Sequence, residues 1–424
     1  MFQALANAFR VPDLRKKILF TLGILALYRV GAHVPVPGVT APMIAALTEA
    51  ASKTAAFGLL NLFAGGALQT FAVFALGIMP YITASIIMQL LQAVIPKLEQ
   101  WSKEGETGQR KIIQITRYVT LGLGFVESVG LIATFQSLLI QAGALPAAGF
   151  DWLTRILIFL SLMAGTAFIM WMGELITQRG IGNGMSLIIF VNIVSRFPQT
   201  LVQALQLGQW YWAVVILIAA FGVVIAIVYM ERAQRRVPVQ YAKRVVGRKV
   251  FGGVGTYIPL KLNAANVIPI IFASSVLNFP TVLASFSNVV WLRNFGNLLA
   301  KGPLNWSLQA VLIVFFTYFY TALVFNPIDL ADNLRKQGGF IPGVRPGKAT
   351  ATYVEHVINR ITLPGALFLA AVAVVPTILF QQTNVTLLQQ FGGTSLLIMV
   401  GVALETMTQL ESQLKMRHYD GFFK

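Results

Sequence analysis

Gly338-Gly339-Phe340-Ile341-Pro342-Gly343-Val344-Arg345-Pro346-Gly347-Lys348 ends on a Gly-Lys pair, the combination that holds a nucleotide phosphate in glycine-rich loops. The phosphate-loop pattern G-x-x-x-x-G-K-[ST] nevertheless fails, because Pro342 stands where its first Gly belongs and Ala349 where Ser or Thr belongs. A second glycine cluster, Arg179-Gly180-Ile181-Gly182-Asn183-Gly184, follows no strand signal and reads as a tight turn between two helices. The three histidines, His33, His356 and His418, are far apart and lack metal-ligand spacing, and neither G-x-S-x-G nor H-E-x-x-H occurs. Cysteine is absent, which excludes disulfides, thiolate metal sites and a cysteine nucleophile. The sequence therefore predicts no catalytic residue, no metal ligand and no cofactor.

What remains is charge in apolar surroundings. Arg29, Glu127, Glu174, Arg196 and Glu405 fall inside long hydrophobic runs, where an ionisable residue is a functional candidate by default. Glu174, Arg196 and Glu405 lie near the ends of their runs, within snorkelling reach of water. Arg29 and Glu127 are deep, too few for an ion relay.

The elements that carry these residues follow from composition. Of 424 residues, 56% are hydrophobic and 11% charged, against roughly a quarter charged in a soluble domain. Runs of about 17 to 25 apolar residues, long enough to cross a bilayer, number ten: Ile18–Val34, Phe71–Ile95, Ile115–Ile140, Leu153–Ile176, Met185–Val202, Tyr211–Met230, Val267–Phe286, Trp306–Phe325, Ile361–Phe380 and Ser395–Leu410. The net charge of +17 is not spread evenly. All but six of the 32 Lys and Arg fall in the termini and in alternate loops on one face; the exceptions are Arg29, Lys53, Arg155, Arg196, Arg293 and Lys301. Basic loops resist translocation, so that face and both termini are expected in the cytoplasm. The basic start and first apolar run could be read as a cleaved signal peptide, but a retained first span is expected, because Arg29 interrupts the run and no A-x-A-like site follows. Phe2, Leu5 and Phe9 at helical spacing read as an interfacial helix or as a frayed terminus.

Three features depart from a plain helical bundle. The apolar segment 57–68 is about 18 Å long as a helix, too short to cross, and reads as a re-entrant element or a surface helix. The loop 231–262 mixes basic residues with alternating Val and Tyr, predicting a projecting β-hairpin with Gly252-Gly253 beyond its tip. Its basic residues suit either anionic lipid or an acidic partner such as RNA phosphates or an acidic protein. The loop 329–360 carries the Pro/Gly-flanked Arg345.

Leu62-Phe63-Ala64-Gly65-Gly66, Ala75-Leu76-Gly77-Ile78-Met79-Pro80-Tyr81-Ile82, Gly180-Ile181-Gly182-Asn183-Gly184, Tyr241-Ala242-Lys243-Arg244, Ile268-Pro269-Ile270-Ile271-Phe272-Ala273-Ser274-Ser275 and Pro342-Gly343-Val344-Arg345-Pro346-Gly347 occur in this order among the ten runs. With these motifs the chain resembles, end to end, the SecY family of protein-conducting channel subunits. The resemblance implies an all-α polytopic membrane protein with ten transmembrane helices in two pseudo-symmetric five-helix halves, 18–202 and 211–410, a plug helix and a basic β-hairpin. It implies a pore ring of Ile78, Ile82, Ile189, Ile193, Ile271 and Ile398, and a plug at Gly58, Leu59, Leu60, Asn61, Leu62, Phe63, Ala64, Gly65, Gly66, Ala67 and Leu68. A lateral gate falls on helices two, three, seven and eight, with Thr83, Glu127 and Asn278 as its polar residues. Asn278 departs from the apolar residue expected there. Docking residues would be Lys243, Arg244, Arg248, Lys249 and Arg345. The implied partners are SecE and SecG subunits, the SecA ATPase, the ribosome, signal sequences, unfolded preproteins and membrane lipid, in a bacterial plasma membrane. A secondary transporter with pseudo-symmetric halves is the alternative, and a scaffold without transport a weaker one.

Overall fold

A computed structural model of the chain describes residues 8–52, 64–146, 149–198, 202, 210–241, 244–246, 249–251, 256–286, 290–300, 302–383 and 392–420. Apolar helices dominate it. In chain order they are α1 (Pro12–Gly31), α2 (Ala41–Ser52), α3 (Met79–Val94), α4 (Pro96–Lys103), α5 (Glu106–Gln141), α6 (Trp152–Arg179), α7 (Gly184–Val194) and α8 (Trp210–Arg232). After a sheet-forming loop come α9 (Ile268–Phe286), α10 (Val290–Ala300), α11 (Pro303–Val324), α12 (Pro327–Lys336), α13 (Lys348–Thr383) and α14 (Gly393–Asp420).

Each of the ten expected runs carries one helix, but several bounds differ. The run 71–95 is helical only from Met79. Its first part instead pairs with the stretch that follows α1, Val36 N–H donating to Phe71 O at 3.0 Å and Val73 N–H to Val34 O at 2.9 Å. Positive φ at Phe71 (45°) and Gly77 (59°) is incompatible with helix there. α3 then breaks at Pro96, and α4 leaves at 101° to it. α7 has 11 residues, about 16 Å, and does not span by itself. α5 and α13 have 36 residues each, so both run past the bilayer. Among the described residues six helices are each long and apolar enough to cross, and α3 with α4 makes a seventh candidate.

The expected hairpin forms. β1 (Gln234–Tyr241) pairs antiparallel with β4 (Thr256–Lys261), from Gln234 opposite Lys261 to Val239 opposite Thr256. Leu262 N–H donates to Ala233 O at 3.0 Å and closes its base. A shorter pair, β2 (Arg244–Val246) and β3 (Lys249–Phe251), lies between them in sequence. Not foreseen is β5 (Gly339–Phe340), which comes from the other basic loop and adds to the free edge of β1.

The chain has two principal cores. One spans both halves of the bundle and includes Tyr28, Phe71, Phe135, Ile158, Ile176, Ile227, Ile313, Leu369 and Leu397. The other lies in the basic loops, where Val237, Val239 and Leu260 of the sheet meet Leu334 of α12, Ile341, and Val354 and Ile358 of α13. The alternation that drives the hairpin is thus explained by burial: Val237 and Val239 point inward while Arg235 and Arg236 remain exposed.

Candidate functional site

Local rules set the phase of the helices that converge at the centre. α3 starts with Pro80 in its first turn, where a missing N–H breaks no helical bond. α7 is capped by Asn183, whose Oδ1 accepts from Met185 N–H at 3.1 Å and Ser186 N–H at 3.4 Å. The glycine-rich stretch before it is the expected interhelical turn, with Gly182 at φ +83°. Ile78/Ile82 and Ile189/Ile193 are spaced i, i+4, so each pair shares a face of its segment.

All six isoleucines assigned to a ring are buried, none more than 9% exposed, and all belong to the central core. Ile82, Ile189 and Ile271 line a cavity of about 270 Å³. Ile78, Ile193 and Ile398 do not line it. The lining of the cavity is mixed. Ile82, Ile189, Ile268, Ile271 and Phe272 are apolar, whereas Tyr81, Ser85, Gln89, Glu174 and Gln178 are polar. α9, which supplies Ile268, Ile271 and Phe272, packs against both α3 and α5.

A polar cluster packs against the described end of the short apolar segment. Arg29 donates Nη1 to Gly65 O at 2.8 Å, and Arg196 donates Nη2 to Gln69 Oε1 at 3.2 Å. Gly65 has φ +62° and Gly66 φ +98°. A Cβ on Gly65 would lie 2.1 Å from Asn192 Oδ1, and one on Gly66 would lie 3.1 Å from Arg196 Nη2. Glycine is required twice over, by handedness and by close approach. Ala64, Ala67 and Leu68 are buried beside it; residues 58–63 lie outside the described residues. The hydroxyl of the fully buried Tyr28 lies beside Asn192.

Two sequence expectations are corrected here. Arg196 does not snorkel, being 8% exposed and turned toward Gln69. Glu174 does not snorkel either: Arg117 Nε donates to its Oε1 at 2.8 Å and Nη2 closes a second contact to Oε2. In each case a partner on another segment takes a hydrogen bond where water was expected to, and for Glu174 that partner also balances the charge. Asn192, missed from sequence, was legible as the lone amide in the otherwise apolar second half of α7.

The other assigned residues are more scattered. Thr83 is half-buried on α3 and Glu127 half-buried on α5, and among the described residues neither has a side-chain hydrogen bond. Asn278 falls on α9, its side chain outside the described residues. Lys243 and Arg248 also lie outside them. Arg244 and Lys249 sit on the β2–β3 pair, opposite Phe251 and Val246. Arg345 is exposed, in a loop with Gly343 at φ +82° and Gly347 at φ +100°. Thr350 Oγ1 donates to its carbonyl at 2.9 Å, and the buried Ile341 anchors the loop's entry.

Apolar helices packed around a cavity partly lined by isoleucine, with a basic sheet-bearing face, define a multi-pass membrane protein of channel type. The chain belongs to the SecY family, which it matches over residues 72–407. It is similar to the protein translocase subunit SecY of Streptomyces galbus, at 48% identity over 437 residues covering the whole of both chains. Its fold is similar to a solved SecY structure concerned with the plug domain and the closed channel, with a TM-score of 0.63 at 18% identity, covering 93% of this chain and 91% of that one. It is also similar to Sec61 in the canine ribosome-channel complex, with a TM-score of 0.57 at 16% identity and the same coverage.

Proposed function

We propose that this chain is the central subunit of a channel that passes unfolded secretory proteins across the bacterial plasma membrane and releases apolar segments sideways into lipid. The observation that carries the reading is the cavity bounded by Ile82, Ile189 and Ile271, contributed by both halves. Stiff β-branched side chains there exclude water and ions when the passage is empty, and they offer no hydrogen bonds to retain a passing chain. A carrier would instead need a polar midplane site.

In this reading segment 58–68 is the plug, held at its described end by Arg29 and Arg196. α3 and α5 against α9 form the lateral gate, with Thr83, Glu127 and Asn278 as its polar residues. The basic face is cytoplasmic, with both termini. Driving force comes from outside, because no nucleotide motif is present: from an ATPase motor of the SecA kind or from a translating ribosome, docked on Arg345 and the hairpin. SecE- and SecG-type subunits complete the assembly. Reconstitution with these subunits and the motor should place an exported precursor beyond the reach of added protease in an ATP-dependent way. Full digestion of the precursor under those conditions would remove the reading.

A further inference from the structure

The described ion pairs are of two kinds. Lys103–Glu99, Arg110–Glu106, Lys111–Glu104 and Arg335–Asp332 are solvent-exposed, with side chains 44% exposed or more. Arg117–Glu174 is different: its carboxylate is 12% exposed, its guanidinium 43%, and the carboxylate lines the central cavity. Both members belong to the first half, on α5 and α6, which already pack along their length. A pair in that setting adds little net stability, because desolvation offsets most of the attraction. Its position suggests another use.

The cavity wall has a chemical polarity. Glu174 sits about one and a half turns before the basic end of α6. α9 lines the same cavity with Ile268, Ile271 and Phe272. A segment that complements both has an apolar run with a basic residue ahead of it, the order found in secretory signals.

Building on the channel reading, we infer that Glu174 is a specificity residue that selects client segments with a basic flank, Arg117 being the internal cation which the client's Lys or Arg displaces. Exchange of one cation for another keeps the carboxylate paired throughout, so no uncompensated charge is left in the cavity. Arg117, being nearly half exposed, has open space to move into. An uncharged or acidic flank cannot make the exchange and leaves the resting pair closed, which discriminates by rejection as well as attraction.

The test uses membrane vesicles holding the complete complex and three precursors that differ only in carrying zero, two or four Lys before one apolar run. In the native protein the protease-protected fraction should rise with Lys number. Glu174→Gln should lower the ratio between the four-Lys and zero-Lys precursors by about fivefold, the worth of a partly screened ion pair. Arg117→Gln should raise that ratio, since the competing cation is gone. If both variants scale all three precursors by one factor, the pair merely positions α5 on α6 and the inference falls. Should Glu174→Gln fail to accumulate, the Cys-free chain allows Gln178→Cys, also on the cavity wall. It should form a disulfide with a precursor cysteine placed beside the Lys residues, and absence of that crosslink also overturns the inference. Failure of the native complex to export any of the three would instead remove the channel reading, and this inference with it.

Discussion

Arg29 Nη1 donates to the carbonyl of Gly65 at 2.8 Å, joining the first long helix to a stretch 36 residues further on. An arginine inside an apolar run is thereby accounted for: its hydrogen bond ends on a backbone carbonyl. Removing the cation should loosen what it holds. Arg29→Gln should therefore raise the resting conductance in planar bilayers, and unchanged conductance would separate this contact from closure.

Gly65 itself is the sharper probe. Alanine there would have to adopt φ near +62° with its methyl 2.1 Å from Asn192 Oδ1. Strain of about 1–3 kcal/mol should be released by moving the segment. Gly65→Ala is expected to leak ions and to melt earlier, read by conductance and by thermal unfolding in detergent, whereas Gly23→Ala, with open space around it, should do neither.

For the constriction, Ile82→Ser with Ile271→Ser should wet the passage and raise ion leak without a client. Ile218→Ser, on the exposed face of α8, is the control and should leave conductance unaltered. Equal behaviour of the two variants would take Ile82 and Ile271 out of the seal.

Arg345→Lys tests docking. A guanidinium makes paired bonds to a carboxylate or phosphate, an ammonium does not. Membrane insertion should stay normal while motor-driven export falls about tenfold, equivalent to about 1.4 kcal/mol of lost partner binding. A residue that only fixes topology would tolerate the change.

The shared core of the two basic loops gives a stability prediction. Val239 is fully buried against α12 and the start of α13, so Val239→Asp should cost about 3 kcal/mol or more. Limited proteolysis should then cut both loops at once; cutting confined to the hairpin would show that they are independent.

The apolar runs and the hairpin were legible because they rest on local signals, length of hydrophobicity in one case and alternation in the other. Phe71–Ile78 misled for a physical reason: hydropathy reports burial and not period, so an irregular stretch tucked against α1 reads as helix. β5 gave no signal, since two residues such as Gly339 and Phe340 carry no periodicity and pair with a strand about 100 residues away. The ring isoleucines were named only through family resemblance, isoleucine being ordinary in any core. Glu174 and Arg196 were visible as misplaced charges, but their partners, 57 and 127 residues distant, were not.

The continuity of α13 has a mechanical consequence. Its first turns are built into the loop core through Val354 and Ile358, and the same rod continues for about 38 Å beyond Ile358 to Thr383. A load on the loops therefore acts on the short end of a helix whose long end packs among the apolar helices of the bundle. Pro364 and Pro376 interrupt the rod's hydrogen bonding and act as its joints. Gly365, beside the first joint, is where the carbonyl of Leu262 would come within 2.8 Å of any Cβ, so the hairpin's exit rests near the fulcrum. A load on the loop core would therefore bend the helix first at Pro364, beside Leu262, although the backbone itself stays continuous to Thr383.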